Sequence, residues 1–136
     1  MGWNPFRRAP LLHVADDRGA GPVVVLVHGI ASSSVTFARV VPLLEDRYRC
    51  ISIDLLGFGG SPAPVRAEYT LREHVDALWR TIRRLRLREP FVLVGHSMGG
   101  LIASRLAARR PRRVRRLVLV SPPIYVDPAA LSDDRD

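Results

Sequence analysis

Hydrophobic residues in this chain cluster in short runs of strand length, which alternate with segments of helical period. The continuous aliphatic run at residues 23–27 predicts a strand that is buried on both faces, as in a parallel sheet covered by helices. The apolar run at residues 91–94 predicts another strand, and residues 114–120 predict a last strand with the apolar residues 117–120 at its centre. Residues 48–53 predict a further strand, and residues 11–15 a short one. The turn-rich segment at residues 16–22 follows that first short strand.

Three segments have helical patterns. Residues 35–45 predict a helix that Pro42 kinks or restarts, and residues 97–110 predict one that Pro111 stops. Between them, Thr70 and Glu73 have the spacing of a capping box and open a helix that runs to about Leu87. Its apolar stripe predicts a core face and consists of Leu71, Val75, Leu78, Trp79, Ile82 and Leu85. We expect its opposite, arginine-rich face and His74 to lie at the surface.

The predicted order of elements is β, β, α, β, α, β, α, β, which favours an α/β fold: a three-layer sandwich around a mostly parallel sheet. Residues 1–10 predict an irregular lead-in, residues 11–123 the α/β core and residues 124–136 a polar tail. The 136 residues are enough for a single domain.

The charge of the chain is strongly basic, with a formal net charge of +8, and all 21 cationic residues are arginine. Such a balance is compatible with a binding module for anionic partners, either nucleic acid or acidic lipid. We favour solvated helix faces, because no aromatic platform interleaves with the arginines. We therefore expect no specific nucleic-acid partner and only weak, salt-sensitive attraction.

Cys50 is the one cysteine, and its apolar neighbours predict a buried strand residue that forms no internal disulfide. No segment has the length and apolarity of a signal-peptide core or a membrane span. We expect a cytoplasmic protein without a cofactor or a metal.

The segment Gly95-His96-Ser97-Met98-Gly99 lies between a predicted strand and a predicted helix, with a serine at the apex of the turn. Gly95 and Gly99 allow strand and helix to pass closely, and strain at Ser97 exposes its hydroxyl. The free N–H of Met98 at the start of the helix is suited to stabilise a developing oxyanion. This pattern indicates a nucleophilic serine.

These residues resemble the nucleophile elbow of the α/β-hydrolase superfamily. The segment Val27-His28-Gly29-Ile30 is similar to the family's His-Gly loop, which implies that the N–H of Ile30 is the second oxyanion donor and that His28 is structural. Gly29 permits the unusual backbone path that this loop needs. The loop that begins at Asp54 is similar to the family's Asp-x-x-Gly-x-Gly-x-Ser segment, so we interpret Asp54 as a structural acceptor of backbone N–H groups.

The resemblance covers residues 11–122, about the first half of the family's core. It implies a serine-type hydrolase of esters or related carbonyl compounds that acts through an acyl-enzyme. The family's acid and histidine follow the serine in chain order, whereas the chain's histidines, at positions 13, 28, 74 and 96, all precede Ser97. His96 is expected to point away from the apex of the elbow.

We therefore expect a truncated hydrolase fold, with weak or no activity alone, in which residues 124–136 begin an absent cap region. Asp127 follows the last strand and is a candidate acid, but an acid without a base activates no nucleophile. Truncation is also expected to leave the last strand as a bare edge through which the chain self-associates.

Overall fold

The computed structural model describes residues 8–123, which form one five-stranded sheet with helices on both faces. The strands are β1 (Val14–Arg18), β2 (Val23–Val27), β3 (Arg49–Ile53), β4 (Phe91–His96) and β5 (Val114–Val120). The helices are a 3₁₀ turn (Ser34–Phe37), α1 (Val41–Leu44), α2 (Leu71–Arg84) and α3 (Met98–Arg109).

The strands lie in the order β1-β3-β2-β4-β5, and all neighbours are parallel except β1, which pairs antiparallel with β3. Val27 pairs with Ile53 on one side and with Gly95 on the other, so the parallel strands end together. The loops that follow β2, β3 and β4 therefore meet at one edge of the sheet, the usual ligand-binding edge of this architecture. The predicted α/β fold class with a mostly parallel sheet is confirmed.

The core is divided by the sheet into two layers. On one side α2 and α3 pack against side chains of the sheet such as Ile51 and Leu93, and both of these residues are fully buried. On the other side the 3₁₀ turn and α1 contribute Phe37 and Val41, which pack on alternating residues of the central strands. The aliphatic, β-branched composition of β2 and β3 fits this burial on both faces.

Strand β5 forms one edge of the described sheet, and its C-terminal part, residues 117–120, is apolar and partly exposed. Leu117, Val118, Leu119 and Val120 each expose between 38% and 44% of their surface. An apolar edge strand with unpaired backbone groups is a template for association with another strand. Self-association of the chain through β5 stays a prediction.

The first strand differs from its prediction, which placed it at residues 11–15 with a turn at 16–22. In the structure β1 runs from Val14 to Arg18, because Asp17 pairs with the backbone of Ile51 and its carboxylate accepts two hydrogen bonds from Arg49, at 2.7 and 2.8 Å. Charged residues are compatible with an edge strand, since its outer side contacts water. The turn prediction for residues 16–18 was therefore wrong.

The helical predictions are confirmed in outline, with three differences. The helix predicted at residues 35–45 is divided into the 3₁₀ turn and α1, and Pro42 lies in the first turn of α1, where a missing N–H does no harm. Helix α2 ends at Arg84, not at about Leu87. The capping box is only half formed: Thr70 Oγ1 accepts from Glu73 N–H, whereas the Glu73 carboxylate accepts from the N–H groups of residues 68 and 69.

His74 was expected at the surface and is instead buried, with 3% of its surface exposed. It lies on the side of α2 that faces the sheet, next to Val75 and Leu78 of the core. The helical period allows this position, and a local pattern cannot distinguish a buried histidine from a solvated one.

Candidate active site

Ser97 lies at the bend between β4 and α3 with φ 54° and ψ −125°, a backbone conformation that glycine favours and other residues rarely adopt. Two hydrogen bonds hold the bend: Ser97 N–H donates to the carbonyl of Val120 (3.0 Å), and the carbonyl of Ser97 accepts from Gly100 N–H (2.9 Å). The residue is half-buried, and its hydroxyl makes no hydrogen bond to any other residue within 8–123. The strained backbone thus keeps a serine hydroxyl free.

Two glycines make the bend sterically feasible. A Cβ atom on Gly95 would lie 2.7 Å from the Cα of Gly100, and one on Gly99 would lie 2.9 Å from the carbonyl carbon of Val27. Both distances are shorter than real Cβ contacts, and the atoms met belong to the backbone, which cannot rotate away. Strand β4, helix α3 and the end of β2 therefore approach as closely as their backbones allow.

The loop after β2 reaches the same place. A Cβ on Gly29 would lie 2.9 Å from the Cβ of Ser97 and 3.3 Å from its Oγ, so these two residues, far apart in sequence, are in direct contact. Ile30 follows with a 62% exposed side chain. Neither the N–H of Ile30 nor that of Met98 donates a hydrogen bond to another described residue. The residues that follow Gly29 and Ser97 in the chain thus each have a backbone N–H without an acceptor among the described residues.

His28 is fully buried behind this loop, and both its ring nitrogens are occupied. Leu55 N–H donates to Nε2 (2.8 Å), which assigns the proton to Nδ1, and Nδ1 donates to the carbonyl of Gly29 (2.7 Å). Burial lowers the pKa of His28, and the bond to Gly29 and the charge of Asp54 only partly oppose that effect. A neutral ring with two fixed partners has no free nitrogen to take a proton from Ser97.

Asp54 joins two loops at the carboxyl edge of the sheet. Its carboxylate accepts hydrogen bonds from Ser34 N–H (2.8 Å) and from Gly60 N–H (3.0 Å), and only 4% of the residue is exposed. Burial on its own raises the pKa of this carboxyl, but hydrogen bonds from Gly60 and Ser34, together with the interaction with His28, outweigh that effect and hold the pKa below its usual range. The carboxylate therefore stays ionised and fixes the loops after β2 and β3 to each other.

The remaining histidines lie in three different parts of the fold. The His13 ring packs on Gly60, His74 is buried in α2, and His96 projects from β4 with a buried Nδ1 that has no partner among the described residues. Within residues 8–123 no histidine hydrogen-bonds Ser97 Oγ. Asp127, the candidate acid, lies outside the described residues.

No group of three histidine, cysteine or acidic side chains among residues 8–123 is arranged to hold a metal ion. Among residues 8–123, no helix combines the length and the apolarity needed to cross a bilayer.

Sequence reasoning missed the partners of the two loops. Ser34 and Gly60 bind the Asp54 carboxylate through backbone N–H groups, and the Phe58 ring meets the His28 ring edge-on, with the centroids 6.0 Å apart. Backbone donors carry no residue-type signature, so the one available signal was the glycine-rich composition of residues 57–60.

Comparison with known proteins gives a consistent family. The family model described as alpha/beta hydrolase fold matches residues 22–136. A protein of Arabidopsis thaliana, "Probable lysophospholipase BODYGUARD 4", is 41% identical over 104 residues, which cover 75% of this chain and 25% of that protein. "Cis-3-alkyl-4-alkyloxetan-2-one decarboxylase" of Shewanella oneidensis is 37% identical over 125 residues, covering 86% of this chain and 39% of that protein.

Among solved structures, that of E-2-(acetamidomethylene)succinate hydrolase is similar with a TM-score of 0.75 at 33% identity, and the match covers 86% of this chain and 43% of that one. The chain thus spans about a quarter of the length of the first plant relative and less than half of this structural neighbour.

Proposed function

Because the chain belongs to the α/β-hydrolase fold family, we propose that it carries the nucleophile of a serine hydrolase that cleaves esters or related carbonyl compounds through an acyl-enzyme. In this proposal Ser97 Oγ attacks the carbonyl carbon and forms a tetrahedral intermediate. The N–H groups of Ile30 and Met98 bind the oxyanion, the alcohol leaves, and water then hydrolyses the acylated serine.

The observation that carries the proposal is the contact between Gly29 and Ser97. It brings the segments that carry the Ile30 and Met98 N–H groups, neither of which donates to another described residue, beside a hydroxyl that is itself unbonded among the described residues. Preorganised N–H donors stabilise charge that develops in the transition state, and each is worth about 3–4 kcal/mol in serine hydrolases of known mechanism. Glycine at position 29 lets the loop approach Ser97 closely, because a Cβ there would lie 2.9 Å from the Cβ of Ser97.

The names of the relatives support a small-molecule substrate and leave its class open. The Arabidopsis protein is named for a lysophospholipid, which contains an ester, whereas the Shewanella protein is named for a decarboxylation. We propose an ester because serine at the apex is suited to acyl transfer.

The base that activates Ser97 is, in this proposal, supplied from outside residues 8–123. A serine hydroxyl is a poor nucleophile at neutral pH without a base within hydrogen-bond reach. His28 is occupied at both nitrogens, His74 is buried, and His13 packs on a neighbouring loop. The chain alone is then a weak catalyst.

Hydrolysis of p-nitrophenyl butyrate by the 136-residue chain tests both statements when imidazole is added as an external base. We expect a rate close to that of buffer without imidazole. With imidazole, the wild-type rate should rise above that of Ser97→Ala at the same imidazole concentration. Equal rates for both proteins at every concentration would refute Ser97 as the nucleophile. A high rate without imidazole that Ser97→Ala abolishes would show that the chain already contains its base.

A further inference from the structure

A second concave surface lies at the opposite edge of the sheet from Ser97. This cleft, of about 880 Å³, is formed where the parallel strands begin: by residues 21–23 before and at the start of β2, by Arg49 of β3, by residues 86–90 before β4 and by Arg115 of β5. Strand β4 separates it from Ser97, a distance of about 20 Å at 3.3 Å per residue. It is therefore distinct from the candidate active site, and its volume is within the range of small-molecule sites, about 300–1,000 Å³.

The lining of the cleft has a strong excess of positive charge. Four arginines and a single acidic residue, Glu89, line it. Arg49 is compensated by its paired hydrogen bonds to Asp17. The other three, Arg86, Arg88 and Arg115, form no ion pair within residues 8–123. Three unpaired arginines against one glutamate give the cleft an excess of positive charge, which favours an anionic ligand.

Hydrogen bonds to backbone groups hold the loop that carries Arg86 and Arg88 in place. Arg113 donates from Nη2 to the carbonyl of Leu87 (2.8 Å), and Arg86 N–H donates to the carbonyl of Arg83 (3.2 Å). Arg86 itself has φ 52°, a left-handed conformation that reverses the chain after α2. A fixed loop loses little entropy when it binds a ligand, which favours affinity.

Apolar residues complete the cleft: Pro22 and Val23 on one side, and Leu87 and Pro90 on the other. The guanidinium fork matches phosphate oxygens in geometry as well as in charge. We infer that this cleft binds an organic polyphosphate of the size of a nucleoside triphosphate, with its phosphates on Arg86, Arg88 and Arg115 and its apolar part against Pro22 and Leu87. The inference is independent of the function proposed for Ser97.

Calorimetric titration of the 136-residue chain with ATP, at about 0.15 M salt, tests the site. We expect Arg86→Gln/Arg115→Gln to weaken binding at least about tenfold, because each substitution removes charge-assisted hydrogen bonds to the phosphates. The matched control is Arg39→Gln/Arg66→Gln, which removes the same net charge from exposed positions that do not line the cleft. Its affinity should stay within about twofold of wild type.

Equal weakening by the two pairs of substitutions would show general attraction to a basic surface and would overturn the inference, as would the absence of ATP binding to the wild type. Circular dichroism of each variant establishes that it is folded, and Arg88→Gln/Arg115→Gln replaces the first pair if that pair is not. Titration with tripolyphosphate, which lacks the apolar part of ATP, distinguishes the contribution of the phosphates from that of the apolar part. Tripolyphosphate should bind more weakly than ATP, and equal affinity would overturn the role of the apolar residues.

Discussion

Asp54→Asn is the substitution that the hydrogen bonds of the site define most sharply. Asparagine has the shape of aspartate, but it has one acceptor oxygen where the carboxylate has two, and its amide nitrogen is a donor. One of the two N–H groups, that of Ser34 or that of Gly60, would then face another donor in a site that is 4% exposed. The size of the side chain hardly changes, so a loss of stability is attributable to the lost charge and the lost acceptor of the carboxylate.

The magnitude follows from the two bonds. Hydrogen bonds to a charged group contribute about 1.5–3 kcal/mol each, and a buried donor left without an acceptor costs about 1–3 kcal/mol. We expect Asp54→Asn to lower the free energy of unfolding by about 2–4 kcal/mol at pH 7. In urea denaturation followed by circular dichroism, that loss lowers the midpoint by about 1–2 M. The exposed Asp46→Asn is the control and should change the free energy of unfolding by less than about 0.5 kcal/mol.

The same urea experiment, repeated as a function of pH, gives a second test of the Asp54 carboxylate. The folded-state pKa of Asp54 lies below its ordinary value of 3.8, so the unfolded chain binds the proton more tightly. The stabilisation from the carboxylate is complete above the unfolded pKa and is lost as the pH falls through the folded pKa. The difference in stability between wild type and Asp54→Asn should therefore narrow below about pH 4. A stability of Asp54→Asn equal to that of Asp46→Asn at pH 7 would refute the role assigned to this carboxylate.

Three further predictions concern the bend and the buried histidines. Gly99→Ala should destabilise the fold by about 2 kcal/mol or more in the same urea assay, because the new Cβ meets the backbone of Val27; a loss below about 0.5 kcal/mol would contradict the close packing. Ser97→Gly should be more stable than Ser97→Ala by about 1 kcal/mol, because glycine adopts φ 54° without strain; the reverse order would show an unstrained bend. Burial lowers the pKa values of His28 and His74 below 6.5, so the unfolded chain binds more protons in that range and stability should fall as the pH drops below about 6.5. His74→Gln should reduce this slope, and equal slopes for wild type and His74→Gln would contradict the assignment.

Strands β2 and β5 were predicted with the bounds that the structure gives them. The run of β2 is apolar because the strand is buried, so its local pattern contains the information. Strand β5 lies at the edge of the sheet, and its apolar residues 117–120 marked it as a strand although they are partly exposed. Strand β1 has no such apolar pattern, because it contains charged residues. Its Asp17 accepts two hydrogen bonds from Arg49, which lies in a distant part of the chain.

The candidate site was predictable to the extent that it follows from local chain geometry. The glycines around Ser97 indicated a sharp turn, and the structure gives the distances that make alanine impossible there without a shift of the backbone. The contact of Gly29 with Ser97 depends on which strands are neighbours, and only the sheet order β3-β2-β4 determines that. The burial of His74 likewise depends on how α2 rotates against the sheet.

Covalent labelling with a fluorophosphonate is the most direct test of the nucleophile assigned to Ser97. The reagent phosphonylates reactive serine hydroxyls. Fragmentation of the tryptic peptide of residues 89–105 in a mass spectrometer distinguishes Ser97 from Ser104. The Ser104 hydroxyl donates a hydrogen bond to the Gly100 carbonyl. With imidazole as external base, we predict an adduct at Ser97 in the folded chain, none at Ser104, and loss of the labelling when urea unfolds the protein. An unmodified Ser97 in a folded chain whose other serines react would contradict the assignment.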